Sequence, residues 1–296
     1  MMEVEENVEV RNATLWTARQ GSGPALVLCH GGPGLWDYLA PVAAMVDDLA
    51  TVYRYDQRAC GRSSGGPPHD VVTAIADLEA LRAHWELTGW IVAGHSWGAS
   101  LALLYCLAHP ARARGLISIS GTGIDPAWHA EYKANQTARL GPQGQQRLAA
   151  LRARQTQATG ADYTALEREM CALVWATDFG DWTHAHERAR QLFVADLLPN
   201  HEVNRQLGTD AGRWIEHDRM AARLADMNTP TLIVHGEADP RPTWAARHLA
   251  ASIPHGQLRT MPAVGHLPWL EQPDQFGAIL RDFITGLSQP GDSAAR

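Results

Sequence analysis

Cysteine is scarce in this sequence, and so are charge and long apolar runs. The four cysteines, Cys29, Cys60, Cys106 and Cys171, lie far apart and form no C-x-x-C pair. That spacing excludes a disulfide framework and predicts reduced thiols, with Cys29 and Cys106 as small core residues. No H-E-x-x-H occurs and no Cys/His set has zinc-finger spacing, so no metal is expected, and the pattern calls for no cofactor. No apolar run approaches the roughly 18 residues of a membrane-crossing helix, so no membrane partner is expected. The opening MMEVEENVEV is acidic and has no apolar signal core, which predicts a cytoplasmic protein. Runs of Lys and Arg are missing too. The 25 basic against 32 acidic residues give a net charge of −7, which excludes nucleic acid as an expected partner. Charged residues make up 19% of the 296, too few for a disordered or coiled-coil chain.

What the chain does have is a set of short, continuous apolar runs. Ala25–Cys29 (ALVLC), Thr51–Tyr55 (TVYRY), Trp90–Ala93 (WIVA), Gly115–Ser120 (GLISIS) and Thr231–His235 (TLIVH) read as strands buried on both faces. Val8–Trp16 alternates apolar and polar residues and predicts one early antiparallel strand. Between the runs lie helical patterns. Asp70–Leu87 carries Val71, Ile75, Leu78, Leu81 and Trp85 at helical spacing, with Asp70 at the N-cap position. Helices are also predicted over Trp97–Ala108, Thr243–Ser252 and Asp274–Leu287, and a strand over Gln257–Met261. The tail QPGDSAAR is expected to be disordered.

Strands alternating with helices imply right-handed crossovers and a mainly parallel sheet, an α/β fold. Residues 123–225 break the alternation. They are polar, helical in period and without a convincing strand. An insertion at that point lands above the carboxyl edge of the sheet, where α/β sites lie. The predicted organisation is therefore a core over 1–122 and 226–296, with a helical cap over 123–225.

Residues 92–99, VAGHSWGA, put Ser96 between Gly94 and Gly98, directly after a strand and before a helix. That is the context of a nucleophile elbow, in which glycines permit close backbone approach. A serine nucleophile needs a base, and the base needs an orienting carboxylate. The loops after later strands offer both. GEADP supplies Asp239, with Glu237 as the alternative, and PAVGHLPW supplies His266. An oxyanion needs two backbone donors. Trp97, after the nucleophile, is one; Gly32 in HGGPG (30–34) is the other, with Gly31 close behind. His95, inside the elbow, is expected to pack.

Three segments then resemble a known family. HGGPG is similar to the oxyanion loop of proline iminopeptidases. DQRACGRSS (56–64) resembles their Asp-Gln-Arg-Gly-x-Gly-x-Ser segment, with Ala59 where glycine is usual. GHSWGAS (94–100) resembles their nucleophile turn, where glycine is commoner than His95. The resemblance implies an α/β-hydrolase fold, with a mostly parallel eight-stranded sheet, helices on both faces and an inserted cap. It implies an aminopeptidase that releases N-terminal proline or a small residue from peptides by way of an acyl-enzyme. It also implies two glutamates for the substrate ammonium. LPNHEVN (198–204) points to Glu202 as one. The second should follow the triad aspartate, where this chain has Pro240; Glu237 and Glu216 are the alternatives. Gly31, Trp214 and Trp269 complete the expected substrate contacts. The expected partner is thus a small molecule or short peptide, and a homo-oligomer is compatible with it. Two other readings stand beside this one: a small-molecule esterase, lactonase or amidase with the same triad, and a non-catalytic ligand-binding protein.

Overall fold

The computed structural model describes residues 3–215 and 219–288; the tail QPGDSAAR and Glu216 lie outside the described residues. The early alternating segment is two strands, not one: β1 (Val4–Val10) and β2 (Ala13–Gly21) form a hairpin. The break falls at Arg11–Asn12, where Asn12 takes a left-handed φ of 57°. Asparagine tolerates that conformation. The alternation changes phase there, from Val8 and Val10 to Ala13 and Leu15, across two successive polar residues, Arg11 and Asn12.

The remaining strands are β3 (Ala25–Cys29), β4 (Thr51–Tyr55), β5 (Trp90–His95), β6 (Ala113–Ile119), β7 (Thr231–Gly236) and β8 (Gly256–Met261). Together they form one eight-stranded sheet in the order β1-β2-β4-β3-β5-β6-β7-β8. β2 runs antiparallel to β1 and β4, and the other pairings are parallel. Each apolar run splits between two cores. In β3, Val27 and Cys29 pack on one face with Leu78, Leu81 and Leu101. Leu26 and Leu28 pack on the other with Phe276, Leu280 and Ile284. This two-sided burial explains why the strands read as continuous rather than alternating.

The helices before the insert are α1 (Ala40–Ala44), α2 (Val71–His84) and α3 (Trp97–Ala108). The side chain of Asp70 caps α2, accepting from Thr73 N at 2.8 Å. Between β6 and β7 the described residues contain helices and no strand: α4 (Trp128–Gln155), α5 (Gly160–Trp175), a 3₁₀ turn (Ala176–Asp178), α6 (Ala185–Gln191), α7 (His201–Ile215) and α8 (Arg219–Ala225). α4 is broken at Gly141, φ 61° and ψ 175°, ahead of Pro142. α9 (Thr243–Ala251), α10 (Pro268–Glu271) and α11 (Pro273–Ser288) complete the chain.

The insert has two parts. α4 and α5 form a small core of their own from Leu148, Leu151, Leu166, Met170 and Leu173. α7 instead turns Val203, Leu207, Ala211 and Ile215 into the same core as α2 and α3. No described helix is long and apolar enough to cross a membrane.

Candidate active site

Ser96 sits at the joint of β5 and α3 with φ 56° and ψ −119°, a left-handed backbone that costs a serine about 1–3 kcal/mol. Two hydrogen bonds hold it there. Its N–H donates to Ile119 O at 2.9 Å, and its carbonyl accepts from Ala99 N at 3.0 Å. The flanking glycines are steric necessities. A Cβ on Gly94 would collide with the Gly98 carbonyl, and one on Gly98 with the Cys29 carbonyl. Both obstacles are backbone and cannot rotate away. Gly98→Ala should therefore destabilise the protein by about 3 kcal/mol, read as a lower midpoint of thermal unfolding. An unchanged midpoint would mean that the turn relaxes around the methyl group.

His266 lies in the loop after β8 and Asp239 in the loop after β7. His266 Nδ1 and Asp239 Oδ2 are 2.6 Å apart and buried. Burial by itself would raise the Asp239 carboxyl, but His266 and Arg241 beside it outweigh this and hold it well below the ordinary carboxylate range. A carboxylate there accepts a hydrogen bond from Nδ1–H, so the Nε2 lone pair of a neutral His266 is left to accept a proton. Glu237 is exposed. The backbone of His266 is fixed as well, its N–H donating to Asp178 O at 2.6 Å. Ser96 and His266 line one cavity of about 420 Å³. No hydrogen bond joins Ser96 Oγ to His266 among the described residues, as is common before substrate arrives.

The HGGPG loop follows β3. Gly32, at φ 124°, faces the cavity. The N–H groups of Gly32 and Trp97 have no protein acceptor among the described residues. Gly31 is different. Its N–H donates to Tyr38 Oη at 2.8 Å. Its donor is thus in use, and Gly31, expected to contact substrate, is not among the residues that line the cavity. The Asp-Gln-Arg segment acts from behind this loop. Gln57 N–H donates to His30 Nε2 at 3.0 Å, Gln57 Nε2 to His30 O at 2.7 Å, and Gln57 Oε1 accepts from Trp97 Nε1 at 2.9 Å. One glutamine thus ties the HGGPG loop to the helix that begins directly after Ser96. Ala59 in the same segment has φ 56°, a conformation that suits glycine better.

The substrate side differs more from expectation. Glu202 is exposed on the first turn of α7 and ion-paired to Arg205 at 2.6 Å, outside the cavity. The reason is helix rotation. Val203 and Leu207 face the core, so Glu202 is carried round toward solvent, while His201 and Asn204 reach the cavity. Trp214, near the end of α7, is 39% exposed and also outside. Trp269 is 2% exposed and lies behind the site, stacked on Tyr38 and edge-on to His95. Trp36 and Trp175 form an aromatic wall of the cavity, edge to face at 6.2 Å.

Glu167 was not singled out from the sequence. It is 4% exposed and lines the cavity from α5, with Met170, Cys171, Val174 and Trp175 on the same face. Its carboxylate lies 2.7 Å from His201 Nε2 and accepts from Gln155 Nε2 and Cys171 Sγ. In sequence this stripe reads as ordinary core spacing, and the acid interrupting it was the available signal. Asp178, the other cavity carboxylate, is committed to Arg241 at 2.6 Å. The loop before His266 is tied to the insert through Glu271, which accepts from Gly265 N at 2.7 Å and Gly180 N at 2.9 Å. No group of three or more His, Cys, Asp or Glu among the described residues is placed to hold a metal.

Comparison with known proteins gives this arrangement its setting. The alpha/beta hydrolase fold family matches residues 24–273. The chain belongs to that family. Among named relatives, the hydrolase is 28% identical to the proline iminopeptidase of Neisseria meningitidis over 269 residues, covering 82% of this chain and 83% of that one. It is 27% identical to the proline iminopeptidase of Lactobacillus helveticus over 288 residues, covering 88% and 90%. The solved proline iminopeptidase of Mycobacterium smegmatis has the same fold, with a TM-score of 0.67 at 18% identity over 96% of this hydrolase and 98% of that chain.

Proposed function

We propose that this hydrolase works through an acyl-enzyme on Ser96 and releases an N-terminal residue, proline or a small one, from short peptides. The observation that carries the first half is the 2.6 Å contact of Asp239 with His266 in the cavity that Ser96 lines. Ser96 Oγ attacks the scissile carbonyl carbon while its proton passes to His266 Nε2. Asp239 holds the ring and stabilises the imidazolium. The N–H groups of Gly32 and Trp97 hold the oxyanion. His266 then protonates the leaving amine. A water that gives its proton to His266 attacks the acyl-enzyme, and Ser96 recovers its proton as the acid product leaves.

The second half rests on the names of the relatives and on Glu167. A substrate ammonium in a closed cavity needs a carboxylate partner. Glu202 faces solvent, and Asp178 is neutralised by Arg241. Among the described residues, Glu167 is bonded to a histidine, an amide and a thiol and to no Arg or Lys, so a cation can still pair with it. Glu167→Gln should lower kcat/KM for a prolyl arylamide by about 10- to 100-fold, the value of a hydrogen bond to a charged group, and spare a p-nitrophenyl ester. Equal losses on both substrates would remove Glu167 from amine recognition.

A second reading, a small-molecule esterase, lactonase or amidase, is favoured by one observation. Pro240 stands where the resemblance implies the second glutamate, so that position offers no carboxylate to a substrate ammonium. Cleavage of a prolyl arylamide, of its N-blocked form and of a p-nitrophenyl ester separates the two. Activity that vanishes on blocking the amine supports the peptidase. Ester hydrolysis indifferent to an amine supports the alternative. A wild-type protein that takes no fluorophosphonate on Ser96 would be a binding protein instead.

A further inference from the structure

His95 precedes the nucleophile, and a chain of short contacts runs through it. Gly31 N–H donates to Tyr38 Oη at 2.8 Å, Tyr38 Oη lies 2.6 Å from His95 Nδ1, and His95 Nε2 lies 2.9 Å from the carbonyl oxygen of His266. The proton positions follow from what each group can do. A carbonyl oxygen only accepts, so His95 Nε2 must carry the hydrogen that points at it. Burial, then the neighbouring His266, keeps the His95 ring neutral at ordinary pH. Nδ1 is therefore a bare acceptor, and Tyr38 must donate to it. Every link in the chain then has a single direction.

The chain joins two parts of the site that are distant in sequence. At one end is Gly31, whose peptide leads into the Gly32 oxyanion donor. At the other is the backbone of His266, the base. Between them, His95 is covalently joined to Ser96. Glycine at 31 fits this arrangement, because a Cβ there would collide with the Tyr38 hydroxyl. Trp269 clamps the two rings, lying 6.2 Å from Tyr38 in a stacked pair and 4.7 Å from His95 edge-on. Neither Tyr38 nor His95 is needed for the proton transfers proposed above.

We propose that Tyr38 and His95 are positioning residues, a hydrogen-bonded relay that sets the oxyanion loop and the catalytic histidine against Ser96 as one unit. The relay acts when the oxyanion and the imidazolium form together, since both must be aligned with the same tetrahedral centre. Its loss should lower kcat more than it raises KM, because ground-state binding does not depend on that alignment. The inference rests on Ser96 being the nucleophile.

The test uses the full-length protein and a p-nitrophenyl ester. Tyr38→Phe keeps the ring stack and deletes the hydroxyl; His95→Leu deletes both ring nitrogens. Each should lower kcat by about 10- to 100-fold, the cost of misplacing a reacting group by about an ångström, with KM within about twofold. His95→Gln offers an acceptor to Tyr38 and a donor to the His266 carbonyl, and should recover most of what His95→Leu loses. The double variant Tyr38→Phe/His95→Leu should be no slower than the slower single variant, because one broken link disables the relay. Additive losses, equal failure of Gln and Leu, or a Tyr38→Phe protein with unchanged kcat would each overturn the relay. Labelling keeps the two readings distinguishable. Wild-type protein whose Ser96 resists a fluorophosphonate sinks the nucleophile itself, whereas labelled wild type with an unaffected Tyr38→Phe sinks only the relay.

Discussion

Ser96→Ala is expected to lower kcat by about 10⁶-fold, to abolish the fluorophosphonate adduct and to leave the unfolding midpoint almost unchanged. The size follows from the site. Without Oγ there is no acyl-enzyme, and His266 has no proton to accept from the protein. What survives is substrate held near two N–H donors, which leaves a residual enhancement of about 10³–10⁴ over water. The fold should be indifferent, since the N–H and carbonyl of residue 96 keep their bonds to Ile119 and Ala99. Alanine also bears the left-handed φ no worse than serine does. Activity within tenfold of wild type, measured on a prolyl arylamide or a p-nitrophenyl ester, would remove Ser96 from the mechanism.

Asp239→Asn carries the next largest expected effect, a drop of roughly 10⁴-fold in kcat with KM little changed. The carboxylate is held ionised against its own burial by His266 and Arg241. Ionised, it accepts from Nδ1–H and leaves Nε2 bare. An asparagine can turn its amide N–H toward Nδ1, and the ring then places its proton on Nε2, where it blocks the base. Arg241 would lose one partner and keep its 2.6 Å pair with Asp178, so local packing should hold. A loss smaller than tenfold would mean that His266 needs no fixed tautomer and that the 2.6 Å contact is structural. Circular dichroism on the same sample separates either outcome from unfolding.

These residues were legible in the sequence because each is defined by its neighbours along the chain. Ser96 lies between a buried strand and a helix, and Asp239 and His266 lie in the first loops after β7 and β8. Parallel strand order converts that local fact into proximity. Substrate-side residues have no such anchor. Glu202 and Glu167 both lie on amphipathic helices of the insert, and only tertiary packing fixes the rotation of each helix. Val203 and Leu207 anchor α7 on the core and send Glu202 outward, while the α4–α5 core turns Glu167 inward. Gly31 and Trp269 lie beside the site, and their contacts there run through Tyr38. The Tyr38 hydroxyl is 7 residues from Gly31 and 57 from His95, and no periodicity links those positions. The hairpin at Arg11–Asn12 leaves only a faint mark, a change in the phase of the alternation across two polar residues, and a single long strand with an irregularity reads much the same.

The tie between Asp178 and His266 bears on how this scaffold can be re-engineered. The insert looks like an exchangeable module: one contiguous segment that supplies most of the cavity wall. Yet it also furnishes the acceptor for the His266 N–H, the counter-ion of Arg241 and the Gly180 amide bound by Glu271. Grafting a relative's helices in its place would change the cavity and unfasten His266 in the same operation. New specificities in this chain are better sought by substitutions along the inner face of α5, leaving Ala176–Gly180 as it stands.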